Sequence, residues 1–259
     1  MVASPRQSSR HRGESPQEYA TAFRILAASA RHPTNIHQIV TERLFPGLPE
    51  HPTLLDVGAG AGKVAERLAP HFDSLTLLEP HPEQSSGFHH EKATVIPVSL
   101  ERYASNDRYD LVVCSHVLYH VPVSEWGGFI DRLLGFARPG GSCLIVMAAA
   151  RGPTHAMCRE FSDTLHFSEE VVAEVQRKHL PHETIATMSG FAAQTFEEMY
   201  TLCRFLVLEG CYTAAQLAAL NPDEAGRLDA RIRAHAERCQ QPDGTYQLEQ
   251  DEDVILIRR

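Results

Sequence analysis

Residues 53–63, Thr-Leu-Leu-Asp-Val-Gly-Ala-Gly-Ala-Gly-Lys, constrain the fold of this chain more than any other stretch. A short apolar run, Thr53 to Val57, ends in glycines at alternate positions, Gly58, Gly60 and Gly62. Val64 to Leu68 then reads as a helix. In a strand, glycine turn and helix of this kind the backbone can come close to a ligand, because glycine has no Cβ and tolerates positive φ. The helix N-terminus behind the turn favours polar or anionic groups. A nucleotide-like ligand is therefore the first expectation. Two familiar nucleotide motifs fail. The dinucleotide fingerprint needs Gly or Ala three residues after its second glycine, and Lys63 stands there. The phosphate loop needs Ser or Thr after Gly-Lys and an earlier glycine, but Val64 follows Lys63 and position 57 is valine.

Downstream the rhythm is strand–helix. Leu75–Leu78, Ala93–Val98, Tyr109–Ser115, Ser142–Met147 and Thr184–Ser189 read as strands. Trp126, Ile130, Leu133 and Ala137 mark a helix that Pro139-Gly140-Gly141 stops. Short apolar strands alternating with helices predict a parallel sheet covered on both faces. The last strand, Val254–Ile257, is expected to insert antiparallel. Ahead of the sheet, Tyr19, Phe23, Leu26 and Ala30 recur at helical spacing, as do Ile36, Val40 and Leu44. Ser168 is a predicted N-cap, Thr195-Phe-Glu-Glu198 a capping box, Asn221-Pro222 a helix start and Gly210 a helix end. The expected organisation is a flexible tail over 1–15 and N-terminal cap helices over 16–48. A core over 49–259 follows, with helical cap insertions at about 152–180 and 195–240.

The length of 259 residues suits one large domain or a core with a cap. A formal net charge of −9 disfavours nucleic acid, whose partners usually present a basic face. Six cysteines without CxxC spacing read as reduced thiols. No apolar run approaches the roughly 20 residues of a membrane span, and the N-terminus lacks the apolar segment of a signal peptide. A cytoplasmic setting is expected; monomer and homodimer both stay open.

Asp56-Val-Gly-Ala-Gly-Ala-Gly62, the strand-end Glu79, Tyr109-Asp-Leu-Val-Val-Cys-Ser-His116 and Arg138-Pro-Gly-Gly141 follow one another in order. Together they resemble the class I S-adenosylmethionine (SAM) dependent methyltransferases. The resemblance implies a Rossmann-like α/β fold, a seven-stranded, mostly parallel sheet with its last strand antiparallel, under a helical substrate cap. It implies SAM as cofactor, S-adenosyl-L-homocysteine as product and a small-molecule acceptor. Asp56, Gly58, Ala59 and Gly60 would hold the cofactor, and the Glu79 carboxylate would accept hydrogen bonds from both ribose hydroxyls.

Further stretches look like the histamine N-methyltransferase group. These are Glu79-Pro-His-Pro-Glu-Gln84, Val117-Leu-Tyr-His-Val121, Tyr19-Ala-Thr-Ala-Phe23-Arg24, Thr187-Met188 and Arg204-Phe205-Leu206 with Glu209-Gly-Cys211. That likeness would add Gln84, Ser99, Leu100 and Ser115 to the cofactor site. It would place Tyr19, Phe23, His32, Phe205, Gln250 and Glu252 around the acceptor. The chain departs from the group where His116 and His120 replace an amide and a tyrosine, and near His32, where the group has a glutamate. These changes argue against histamine and toward an acceptor that must lose a proton to a neutral imidazole. An indole-type ring, a phenol-bearing ring or a different amine would fit. His116, Tyr119 and His120 are the expected catalytic residues, with His116 or His120 as base and Tyr119 orienting the acceptor. His116 and His120 sit four apart, as in some metal sites, but the metalloprotease pattern is absent and no metal is expected. The alternatives are O-methylation of a phenolic small molecule and a non-catalytic SAM-binding regulatory protein.

Overall fold

The computed structural model describes residues 16–259, so the tail expected over 1–15 lies outside the described residues. Helices α1 (Pro16–Ser29) and α2 (His32–Ile39) come first. The strand–helix series follows as β1 (Thr53–Val57), α3 (Lys63–Leu68), β2 (Ser74–Leu78), α4 (Pro82–Ser85), β3 (Ala93–Ile96) and β4 (Tyr109–Ser115). It continues with α5 (Trp126–Phe136), β5 (Ala137–Ala148), α6 (Gly152–Arg159), α7 (Ser168–Arg177) and β6 (His182–Ala193). The chain closes with α8 (Phe196–Cys211), α9 (Ala214–Ala218), α10 (Pro222–Arg238) and β7 (Tyr246–Arg258). No helix among the described residues is long and apolar enough to cross a membrane.

The seven strands form one sheet in the order β3-β2-β1-β4-β5-β7-β6. β1 pairs parallel with both β2 and β4, and β4 pairs parallel with β5. β7 lies antiparallel to β5, from Ser142↔Arg258 to Ala148↔Glu252. The fold expected from the resemblance is the one observed. The chain divides into two compact units. The larger holds residues 31–150, 167–189 and 251–259; the smaller holds, among the described residues, 16–30, 151–166 and 190–250. Residues 31–48 and 167–180, read from sequence as cap segments, are in the larger unit.

The period-2 alternation of strand side chains builds the core of the larger unit. Leu55, Val112, Cys143, Ile145, Ile255 and Ile257 pack on one face of the sheet with Trp126, Ile130 and Leu133 of α5 and Val171 and Val175 of α7. Leu54, Leu111, Val113, Leu144, Val254 and Leu256 pack on the other with Ile36 of α2 and Leu68 of α3. Each such aliphatic side chain contributes about 1.5–3 kcal/mol on full burial. Asp110 ties three strand starts together: it accepts from Thr53 N at 2.8 Å and pairs with Arg138 at 2.8 Å. The smaller unit has its own core, in which Met157, Met199, Leu202, Val207, Ile232 and Leu248 meet.

Some boundaries differ from the sequence expectation. β5 starts at Ala137, which already pairs with Tyr109, and its register shifts before Leu111↔Ser142. Pro139-Gly140-Gly141 thus forms an irregularity within a strand that follows α5 directly. The cap of α7 is Phe167, with Ser168 the first helical residue. α8 runs past Gly210 to Cys211, and the short α9, capped by Thr213 and Gln216, was not anticipated. The boxes at Thr195 and Asn221 are both present.

Candidate active site

The glycine turn is held by backbone geometry and by its neighbours. Gly58, Gly60 and Gly62 have φ of +68°, +54° and +71°. Gly58 N and Ala59 N both donate to Leu78 O, at 2.8 and 3.0 Å, which pins the turn to the end of β2. A Cβ on Gly58 would lie 2.4 Å from Val117 Cγ2, and one on Gly62 2.4 Å from Phe88 Cδ2. The neighbours that exclude a side chain at these two positions belong to the protein itself. Phe88 was not singled out in the sequence and Val117 only as the start of the Val117–Val121 stretch, because nothing there marks two apolar residues as packed against glycines.

Glu79, at the end of β2, is 3% exposed. Its Oε2 accepts from Gly60 N at 2.8 Å and its Oε1 from His81 N at 2.9 Å. A carboxylate has about four acceptor sites, so pinning by two N–H groups is compatible with accepting ribose hydroxyls. Asp56, next to last in β1, and Ser115, last in β4, stand on neighbouring strands, and among the described residues Asp56 Oδ2 and Ser115 Oγ are buried without a hydrogen-bond partner. Unsatisfied buried polar atoms are rare and call for an explanation. Burial first, then the nearby Glu79 charge, raise the Asp56 carboxyl to about 7, against a lowering hydrogen bond from the Ala65 backbone. The strand order reverses between β1 and β4, where open α/β sheets hold ligands beyond their carboxyl ends. A glycine cradle, a pinned carboxylate and two orphaned polar atoms at that switch point fit the polar nucleoside and amino-acid ends of SAM. Gln84 is half-buried in α4. Ser99 forms the turn after β3, and Leu100, 2% exposed, is part of the core.

Directly beyond β4 the structure brings together four of the residues read from sequence. His116 N donates to Val146 O at 2.9 Å, and His116 adopts φ +57°. A non-glycine residue in the left-handed region is uncommon and collects at functional sites. His116 Nε2 lies 3.1 Å from Glu252 Oε1, and Glu252 is fully buried. His116 Nδ1 lies 3.4 Å from the Tyr119 hydroxyl, which accepts from Ala148 N at 2.7 Å. One consistent assignment runs through all four groups. Ala148 N–H donates to Tyr119, the Tyr119 O–H donates to His116 Nδ1, and His116 Nε2–H donates to Glu252. His32 meets His116 edge-on, ring centroids 4.8 Å apart. Burial first, then His116, lower the His32 imidazole to about 3, against an opposing lift from Glu252.

The β5–β7 register explains the convergence. Ala148 pairs with Glu252, so the backbone that holds Tyr119 and the carboxylate that holds His116 face each other across two strands. His120 is exposed in the 3₁₀ turn Leu118–His120. In the smaller unit, Tyr19, Phe23 and Phe205 form an aromatic cluster, with Tyr19 and Phe205 ring centroids 5.3 Å apart. Gln250 is 6% exposed on β7. Ala148 escaped the sequence reading because a backbone N–H leaves no signature there.

A family model described as a methyltransferase domain matches residues 30–197. Nodulation protein S of Rhizobium tropici is 28% identical over 138 residues, 49% of this chain and 56% of that protein. A ubiquinone biosynthesis O-methyltransferase of Rickettsia felis is 32% identical over 98 residues, 36% of this chain and 39% of that protein. The chain therefore spans between 39% and 56% of the length of these two curated relatives. The solved structure of N-methyltransferase NodS from Bradyrhizobium japonicum WM9, in complex with S-adenosyl-L-homocysteine, has the same fold at a TM-score of 0.53 and 15% identity. That match covers 93% of this chain and 98% of the other.

Proposed function

The chain belongs to the methyltransferase-domain family, and from that membership we propose that it methylates a small molecule at the expense of S-adenosyl-L-methionine. The acceptor is a heteroaromatic or amine-bearing compound of indole or imidazole type, methylated on nitrogen or carbon. The observation that carries this reading is the hydrogen-bonded series Tyr119–His116–Glu252 beyond β4. The likeness to the histamine N-methyltransferase group, with imidazoles in place of its amide and acidic groups, supports a different acceptor from histamine. The net charge of −9 favours a small molecule over nucleic acid. Six free, buried thiols agree with a reducing, cytoplasmic compartment.

SAM, when bound, supplies a methyl group on a sulfonium that departs as a neutral thioether, so no oxyanion needs stabilising. What the chain adds is alignment, dryness and a base. Asp56, Gly58, Ala59, Gly60, Glu79, Gln84, Ser99, Leu100 and Ser115 would hold the cofactor. Tyr119 is 39% exposed and can touch the acceptor. Its hydroxyl takes the acceptor's proton as it passes its own to His116 Nδ1, and Glu252 stabilises the imidazolium through Nε2. Within the larger unit, His32 contributes to the acceptor's surroundings. His120 is the second candidate base. O-methylation of a phenol is the second reading. The match to the ubiquinone biosynthesis O-methyltransferase favours it, and the same proton relay serves a hydroxyl.

The test incubates labelled SAM with a panel of amines, imidazoles, indoles and phenols. Transfer to at least one is expected. His116→Ala should lower kcat roughly 10²–10⁴-fold. Tyr119→Phe should lower kcat more than it raises KM. Binding of SAM without transfer to any acceptor, or full turnover in His116→Ala, would defeat the reading.

A further inference from the structure

The geometry points to a divalent transition-metal site in the larger unit, made by His32, His116 and Glu252, that shuts down the proposed proton relay when occupied. One ligand atom from each of the three side chains lies within 4.8 Å of the others. Two imidazoles and a carboxylate are a ligand set that suits Zn²⁺, Co²⁺ and related ions, and three protein ligands leave a coordination position for solvent or substrate. Bonds of about 2.0–2.2 Å to a tetrahedral ion put ligand atoms roughly 3.4 Å apart. The widest pair therefore has to close by at most about 1.4 Å. His32 can supply that movement: it stands at the start of α2, and its ring already meets His116 edge-on, centroids 4.8 Å apart. His116 and Glu252 are already 3.1 Å apart.

The surroundings match a metal-binding histidine in another respect. Such a histidine usually donates its second ring N–H to a fixed acceptor. His116 Nδ1 faces the Tyr119 hydroxyl at 3.4 Å, and that hydroxyl is anchored on Ala148 N at 2.7 Å. An ion bound at Nε2 displaces the proton shared with Glu252, so the neutral ring must carry its proton on Nδ1. That nitrogen is then a donor and cannot take a proton from Tyr119. Metal occupancy and the base role proposed for His116 exclude each other. This consequence for turnover rests on the methyl-transfer reading; the site itself does not.

The experiment titrates the full chain, stripped with a chelator, with Co²⁺. The expected result is one Co²⁺ per chain with visible ligand-field bands, displaced by Zn²⁺. Affinity should fall at least tenfold in His32→Ala and in Glu252→Gln. It should hold in His37→Ala, which removes a ring from the separate His37–His71 pair, 3.0 Å apart. Glu252 is fully buried, so if Glu252→Gln fails to fold, His32→Ala alone decides. A titration without bands, or one unchanged by His32→Ala, overturns the site whatever the turnover. With an acceptor in hand, one equivalent of Zn²⁺ should abolish transfer and a chelator should restore it. Transfer that persists with the site filled overturns the exclusion. Metal binding by a chain that transfers to no acceptor keeps the site and counts against the methyl-transfer reading.

Discussion

Asp56 is 2% exposed near the end of β1 with its carboxyl raised to about 7 from an ordinary 3.8. Between those values the folded chain holds a proton that the unfolded chain releases. Folding stability therefore falls as pH rises through the window, by up to about 1.4 kcal/mol per pH unit for this group. His32, lowered to about 3, works in the opposite sense: it favours the folded state increasingly as pH rises toward 6.5. The two effects mask each other in the native chain but separate in a variant. Asp56→Asn should gain stability relative to the native chain as pH rises from 5 to 7, measured by urea unfolding at each pH. A pH-independent difference would contradict the assigned cause. Single residues were legible in the sequence where their type carries chemistry, as Glu79, His116 and Glu252 do. Those whose role is shape were not. The three glycines were visible, but Val117 and Phe88, which make side chains at Gly58 and Gly62 untenable, look like any other apolar residues.

At the scale of elements, local signals did best where they act locally. Thr195 Oγ1 accepts from Glu198 N at 3.3 Å while Glu198 Oε2 accepts from Thr195 N at 3.3 Å, the reciprocal cap that the Thr-x-x-Glu spacing predicts. Thr195→Ala should destabilise α8 by about 1 kcal/mol. Amide exchange across 196–200 should rise accordingly, with little change in β1 or β4. Unaltered protection in the first turn of α8 would show that the cap contributes nothing there. The β5 boundary shows the opposite case. Pro-Gly-Gly is a strong stop signal for a helix, and α5 does end before it. Whether the chain then loops or enters a strand is decided by pairing with Tyr109, 28 residues earlier in sequence. The resemblance gathered His32, His116, Tyr119 and Glu252 around one acceptor, but their contacts with one another were unreadable for the same reason. Each was nameable by type, but their distances follow from the β5–β7 register.

For the whole molecule, that register makes the last strand indispensable. β7 pairs with β5 from Ser142 to Ala148, and Val254, Ile255, Leu256 and Ile257 are all fully buried, alternately in the two cores that flank the sheet. A chain ending at residue 245 should lose cooperative thermal unfolding, as followed by circular dichroism. A native-like transition in that truncation would mean that β7 is dispensable. The same placement affects how the protein is made. His116 leaves the ribosome 136 residues before Glu252, a delay of roughly 7–27 s at about 5–20 residues per second. During that interval the nascent chain presents the edge of β5 without its partner strand, and β6 is made before the neighbour that joins it to the sheet. Such edges template pairing with other chains. Synthesis of this fold therefore passes through a window of unpaired strand edges that closes only once β7 has emerged, and slowing translation through β7 should lower the soluble fraction of the expressed chain.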